Sequence, residues 1–196
     1  MKKDHLNNNT LTLIEGCFID KFREVVSNHN PDFIVELGTC KGGLTKYFVE
    51  WFPKTSIYTV DQYWMLSKED SVLFADNKVT VIITSQMFDE DHILPSLLSL
   101  PLKKFLFCDN GYKREEFRYF SGFLKPGDLL GVHDWGEEIH QKDIDDVIGM
   151  FDIHPINNEI ESTPGLSQCR FFVKKNLDFE KRSNPYKDEI TYCEFK

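Results

Sequence analysis

The sequence predicts a three-layer α/β/α sandwich: helices on both faces of a mostly parallel, seven-stranded sheet that includes a late antiparallel strand. Three observations predict it. Short apolar runs alternate with helix-length segments through the middle of the chain, as parallel strands joined by crossover helices require. The first of these runs, Phe33-Ile34-Val35-Glu36-Leu37, breaks at Gly38 into a glycine turn ahead of a helix. Near the end, Ile153 to Ile156 and Cys169-Arg170-Phe171-Phe172-Val173 read as a hairpin, with a turn at Pro164-Gly165.

Each element follows in order. A polar start, residues 1–10, is expected to be flexible. Leu11 to Ser27 carries Leu13, Ile14, Cys17, Phe18, Phe22, Val25 and Val26 at helical spacing and is expected to pack at the edge of a ligand site. The run from Phe33 to Leu37 suits a strand covered on both faces. Gly38, Gly42 and Gly43 let the backbone turn sharply and approach a ligand without a Cβ in the way. The next helix, roughly Leu44 to Trp51, aims its amino terminus at that ligand. Ser56 to Asp61 is the second strand, and Val79 to Ile83 the third, leading into Thr84-Ser85-Gln86. Phe105 to Asp109 is the fourth, and Asp128 to Asp134 the fifth, entered through the turn Lys125-Pro126-Gly127. Helices are expected near 44–51, 91–99, 113–123 and 138–151. Residues 11–175 read as one domain. The tail, 176–196, is charged and aromatic, with Tyr186, Tyr192 and Phe195. Three roles stay open for it: folding over the site, joining a homodimer, or remaining disordered.

Composition narrows the function. A chain of 196 residues can bury about 70% of its unfolded surface around one core. With 32 acidic against 23 basic residues the net charge is −9, which argues against bulk capture of nucleic acid or of an anionic membrane. Five cysteines, an odd number with no C-x-x-C spacing, fit a reducing compartment better than a disulfide framework or zinc site. Lys2 and Lys3 are not followed by an apolar stretch, and no run of 18 apolar residues exists, so a cytoplasmic protein without a membrane span is expected.

Three kinds of ligand site use a strand, glycine turn and helix. A phosphate-gripping P-loop needs Lys and Ser/Thr after its last glycine, and Leu44 stands where that Lys should be. A dinucleotide fingerprint needs a glycine where Cys40 stands. What remains, Glu36, Gly38 and Gly42 in the pattern acid, any, Gly, three of any kind, Gly, resembles motif I of the class I S-adenosyl-L-methionine (SAM) methyltransferases. The resemblance implies a Rossmann-like fold. It also implies a turn, including Thr39, that wraps the methionine part of SAM, and an acid, Glu36, that helps hold its amino group directly or through water. Asp61, 23 positions beyond Gly38 (61 − 38), stands where such folds place a carboxylate for ribose hydroxyls, with Gln62 beside it. Tyr63 and Trp64 could flank an adenine, and Ser85 falls near the adenine edge.

The chemistry is expected at the carboxyl ends of strands four and five, the edge where ligands bind in open α/β sheets. Asp109 and Asp134 land there, with Asn110 and His133 beside them. These oxygen and imidazole donors suit one hard divalent cation such as Mg²⁺. The stretches Asp109 to Lys113, Phe123 to Asp128 and Val132 to Trp135 resemble the second half of the catechol-type and cephalosporin-hydroxylase-like small-molecule enzymes, and the resemblance spans residues 33–174. It implies Asp109, His133 and Asp134 as metal ligands, with His133 where metal-dependent relatives carry an acid. It also implies Lys113 as the base that strips a hydroxyl, provided that its pKa is depressed, with His133 as the second candidate base. An alternative for Asp134 is capping a following helix.

The resemblance implies a methyltransferase acting on a hydroxyl of a small molecule, such as a sugar or natural product. Enzymes that methylate base or glutamine nitrogens carry Asp/Asn-Pro-Pro-Tyr after strand four. Asp109-Asn110-Gly111-Tyr112 shares only the ends of that motif, which, with the acidic charge, disfavours a nucleic-acid substrate. Two alternatives stay open: a methyltransferase-like protein that binds SAM without transfer, and an NAD-dependent oxidoreductase.

Overall fold

A computed structural model describes the backbone of residues 6–7, 10–11, 16–156 and 169–175, and the side chains of 19–156 and 169–175. The turn expected at Pro164-Gly165, the tail, Cys193 and the Cys17 side chain lie outside the described residues. At the start, Leu6–Asn7 and Thr10–Leu11 pair as a two-residue antiparallel ladder.

Among the described residues, seven strands form one sheet: β1 Phe33–Leu37, β2 Ser56–Asp61, β3 Val79–Ile83, β4 Lys104–Cys108, β5 Leu129–Val132, β6 Ile153–Pro155 and β7 Arg170–Lys174. Their spatial order is β3-β2-β1-β4-β5-β7-β6. The first five run parallel, and β7 runs antiparallel to both β5 and β6. This is the Rossmann-like sandwich expected, with the antiparallel strand inserted last.

Both faces of the central strands are covered, which is why their sequences are nearly continuous apolar runs. Phe33, Val35 and Leu37 of β1 pack toward Leu94, Leu98, Phe117 and Phe120. Ile34, one residue out of step, packs on the opposite face with Phe22, Phe48, Phe105 and Phe107. Phe22 is fully buried and meets Phe105, Phe107 and Phe171 edge-on, at centroid distances of 5.9, 5.1 and 5.2 Å, the geometry aromatic quadrupoles favour. A Cβ on Gly131 of β5 would come within 2.9 to 3.1 Å of the rings of Phe107, Phe105 and Phe171, so glycine makes room for this aromatic nest.

The helices are α1 Gly16–His29, α2 Gly43–Trp51, α3 Lys68–Asp76, α4 Ile93–Leu98, α5 Lys113–Phe120 and α6 Asp145–Phe151. The expected 11–27 helix is shifted to α1, which ends where Asn30 turns left-handed (φ 52°) and its N–H bonds to the Val26 carbonyl. Through Phe22 and Val26, α1 covers a face of the sheet. The helix α3 is absent from the sequence reading because its apolar stripe is thin, with only Asp70 and Phe74 buried. Its signal was the cap: the Ser67 hydroxyl accepts the Asp70 N–H at 3.0 Å, and Glu69 and Asp70 occupy the first turn. The helix expected from 138 begins at Asp145. Asp134 and Gly136 take left-handed conformations, the chain folds back so that Trp135 bridges Ile139, and both side chains are buried.

Candidate functional site

The chain runs from β1 outward through β2 and β3, then returns to place β4 on the other side of β1. The order therefore reverses between β1 and β4, and a crevice opens beyond their carboxyl ends. Backbone bonds carry the sheet register into the loops there: Gly38 N–H donates to Val60 (2.7 Å), Asp109 N–H to Leu37 (2.8 Å) and His133 N–H to Cys108 (3.1 Å). The glycine turn, Asp109 and His133 thus stand side by side.

The two motif glycines are required by the fold itself. Gly38 has φ +104°, and a Cβ on it would lie 2.3 Å from the Asp109 carbonyl oxygen. Gly42 precedes α2 in a left-handed conformation, and its Cβ would meet Phe74 at 2.8 Å and Leu66 at 2.9 Å.

Beneath the turn runs a buried hydroxyl chain. Thr45 and Thr59 donate to one oxygen of Glu36 at 2.5 and 2.6 Å. The Thr59 proton is thereby committed, so Thr39 is the donor in the 2.6 Å contact between the Thr39 and Thr59 hydroxyls. Glu36 is only 1% exposed, and burial pushes its pKa up to about 8 against these hydrogen bonds, with Asp109 and Asp61 adding to the rise. Its carboxyl ties β1 and β2 to the first turn of α2 through one of its two oxygens.

Asp61 supports the turn from the side. Its carboxylate accepts the Cys40 N–H at 2.7 Å and the Tyr63 N–H at 3.1 Å. Gln62 is half-buried and Ser85 exposed beyond the ends of β2 and β3, on the same edge of the sheet. Tyr63 and Trp64 are 62% and 57% exposed, which rules out core packing for both.

Across the crevice the acidic cluster is compact. His133 Nδ1 lies 3.0 Å from Asp109 Oδ1 and 3.2 Å from Asp134 Oδ1. Lys113 Nζ lies 2.8 Å from Asp134, 3.3 Å from Asp109 and 2.8 Å from Glu138. Burial works to lower the His133 pKa, yet the bonds and charges of Asp109 and Asp134 outweigh it and lift it to about 9. Asp134 is held well below the usual carboxylate range, by its hydrogen bond to His133 against burial and then by Lys113. Its carboxylate faces these two cations and caps no helix.

Lys113 departs from expectation. Burial acts to lower its pKa, but hydrogen bonds to Asp134 and Glu138 and the charge of Asp109 raise it above the ordinary lysine value. In this arrangement it is a charged donor, not the depressed-pKa base that stripping a hydroxyl requires. Asn110 also turns away from the cluster, donating its amide to Met87 Sδ at 3.7 Å.

Two participants escaped sequence reasoning. Glu138 lies in the turn after β5, with no pattern to single it out. Glu116, one turn after Lys113 on α5, is fully buried, accepts the Asn110 N–H at 3.4 Å and is pushed up to about 8 by burial. Its spacing of three from Lys113 was the available signal.

The ligand atoms of Asp109, His133 and Asp134 all lie within 4.8 Å of one another. Two carboxylates converging this closely fit a divalent cation, with the His133 ring as a third ligand once the ion displaces its Nδ1 proton. A separate hollow of about 700 Å³ lies at the opposite edge, lined by residues including Leu102, Lys125 and Gly127. Its Asp128 is saturated by Lys104 and the Lys125 N–H, so it offers no comparable chemistry.

Neither a protein-family model nor a curated protein sequence matches the chain. Solved structures do. TomG, an O-methyltransferase from Streptomyces achromogenes involved in tomaymycin synthesis and solved with SAM, gives a TM-score of 0.55 at 13% identity, over 81% of this chain and 79% of its own. A candidate caffeoyl-CoA O-methyltransferase from Staphylococcus aureus gives 0.62 at 13% identity, over 85% of this chain and 87% of that one. CmcI with Mg and SAM gives 0.61 at 12% identity, over 84% and 75%. This chain has the methyltransferase fold. At these identities the likeness is one of architecture, and the methyltransferase fold accounts for the strand order and for the late antiparallel β7. Among the described residues, no helix is long and apolar enough to cross a membrane, and Cys40, Cys108 and Cys169 are free thiols.

Proposed function

We propose that this protein is a SAM-dependent methyltransferase that transfers the methyl group to a hydroxyl of a small molecule with help from a divalent cation. The observation that carries the reading is the abutment of Gly38 on Asp109: the turn that would hold the cofactor touches the strand end that opens the acceptor cluster. TomG and CmcI, solved with SAM and with Mg and SAM, support the pairing of ligand classes.

Residues 38–42 would wrap the methionine part of SAM, with Thr39 and the Glu36 chain holding the turn from below. Asp61 and Gln62 would meet the ribose, and Ser85 the adenine edge. Asp109, His133 and Asp134 would hold the cation. Bound there, SAM would supply the methyl group and leave as S-adenosylhomocysteine, and the cation would lower the pKa of the attacking hydroxyl so that its proton passes to water. The protein's own part is alignment: strands β1 and β4 would keep the two half-sites in contact, and the Lys113 ammonium would offset the charge left on the acceptor oxygen once its proton is lost. The absence of the two prolines after Asp109 and the charge of −9 favour a small acceptor over nucleic acid. The buried, unpaired Cys108 and Cys169 favour a reducing compartment such as the cytoplasm.

Calorimetric titration with SAM, S-adenosylhomocysteine and NAD, each with and without Mg²⁺, tests this. Binding of both adenosyl ligands and not NAD is expected. NAD binding alone, or none, overturns it, and SAM binding without turnover across a screen of hydroxylated acceptors points to a non-transferring binder.

A further inference from the structure

Lys113 and a divalent cation need the same oxygens. The ammonium lies 2.8 Å from Asp134 and 3.3 Å from Asp109, and the side chain is only 5% exposed. Those two carboxylates are also two of the three candidate metal ligands. Like charges sharing one carboxylate pair in a position with so little water repel strongly, so the two cannot both sit there at full strength. The third partner of Lys113 differs in kind. Glu138, 2.8 Å from Nζ, is 54% exposed and stands outside the candidate ligand set.

We propose that Lys113, which shares Asp109 and Asp134 with the His133 ring, is a resident cation of the acceptor site and that Glu138 retains it when a divalent ion enters. Ion and ammonium are alternative occupants of Asp109 and Asp134, and the exchange sets the affinity for the metal. This rests on the metal-assisted form of the function proposed above. A permanent counter-ion keeps two adjacent acids folded together when the metal is absent, at a cost in metal affinity. Glu138 lowers that cost by giving the ammonium somewhere to remain.

The test is Mn²⁺ titration of the full chain, followed by electron paramagnetic resonance of the free ion, in wild type, Lys113→Met, Glu138→Gln and the double variant, with SAM titrated calorimetrically into the same samples. Lys113→Met should bind Mn²⁺ at least about tenfold more tightly. Glu138→Gln should bind it several-fold more weakly, because Lys113 falls back on Asp109 and Asp134, and should lose most of that effect in the Lys113→Met background. Glu138 is a surface residue, so its variant folds whatever happens to Lys113→Met, and unchanged Mn²⁺ affinity in it overturns the proposal alone. Equal or weaker binding by a folded Lys113→Met overturns it too, as does absence of Mn²⁺ binding throughout. If SAM still binds in those cases, the methyltransferase reading survives; if SAM binds to no sample, that reading falls whatever Mn²⁺ does.

Discussion

The Cβ that Gly38 lacks would sit 2.3 Å from the carbonyl oxygen of Asp109 and 2.6 Å from its carbonyl carbon. A motif glycine that reads as clearance for a ligand is thus also clearance for the neighbouring strand. Any side chain here forces apart the two strand ends between which the crevice opens.

Gly38→Ala therefore combines a strained backbone at φ +104° with a clash that no rotamer relieves, and a loss of about 2 to 4 kcal/mol is expected in urea unfolding. Gly111 is the control: its φ is +79°, but nothing lies within 4 Å of its missing Cβ, so Gly111→Ala should cost only about 1 kcal/mol. Equal losses in the two variants would show that the Asp109 contact carries no weight. Loss of SAM binding by Gly38→Ala would report on the scaffold and not on a ligand contact.

Glu36 should make the protein less stable as the pH rises. With a folded pKa of about 8, the native state keeps a proton that the unfolded chain releases near 4.5, so this contribution is full below about 4.5 and is lost as pH rises through 8. Glu36→Gln keeps an acceptor for the threonines but cannot ionise. At pH 8 it should exceed wild type by on the order of 2 to 4 kcal/mol, with no advantage at pH 4.5. Denaturation profiles that stay parallel across this window would disprove the buried, protonated state.

His29 acts in the opposite direction. Burial lowers its pKa to about 4, against the bond from its Nε2 to the Lys104 carbonyl (3.0 Å), and the Lys103 charge lowers it further. The unfolded chain then takes up a proton that the native state refuses, so this stabilisation is complete above about 6.5 and disappears as pH falls toward 4. After allowance for partial exposure, on the order of 2 kcal/mol should be lost over that range in wild type and not in His29→Gln. NMR titration of His29 reads the same quantity directly; a midpoint near 6.5 would refute it.

Lys104 is 0% exposed and its ammonium lies 2.6 Å from Asp128 at the edge remote from the site. Lys104→Met strands a buried carboxylate and should cost about 3 to 5 kcal/mol, whereas Lys104→Met with Asp128→Asn removes both charges and should recover much of the loss. SAM affinity should not change in the double variant. A single variant within 1 kcal/mol of wild type would mean, on the scale of such pairs, that the acid finds other partners or protonates at little cost.

Asp109→Asn keeps the size of the side chain and the backbone abutment on Gly38 but removes one candidate ligand and one partner of both His133 and Lys113. Turnover should fall by about 100-fold or more while SAM affinity stays within a few-fold. Undiminished turnover would remove Asp109 from the chemistry.

The strands of this protein were legible in its sequence because apolar runs punctuated by glycine, proline and acids are local signals. β1, β2 and β3 begin and end where the sequence placed them, and the turn before α2 lies where its glycines predicted. The placement of Asp61, Asp109, His133 and Asp134 at one sheet edge followed from the parallel register alone. Tertiary structure decided their states. Glu36 turns inward because Thr45 and Thr59, from two other elements, supply its donors. Lys113 is held as a cation by Asp134 and by Glu138, the latter 25 residues away in a turn that the sequence assigned to a helix. Spacing along the chain determines which groups reach an edge; charge and protonation depend on burial and on partners distant in sequence, and those come into being only when the chain has folded.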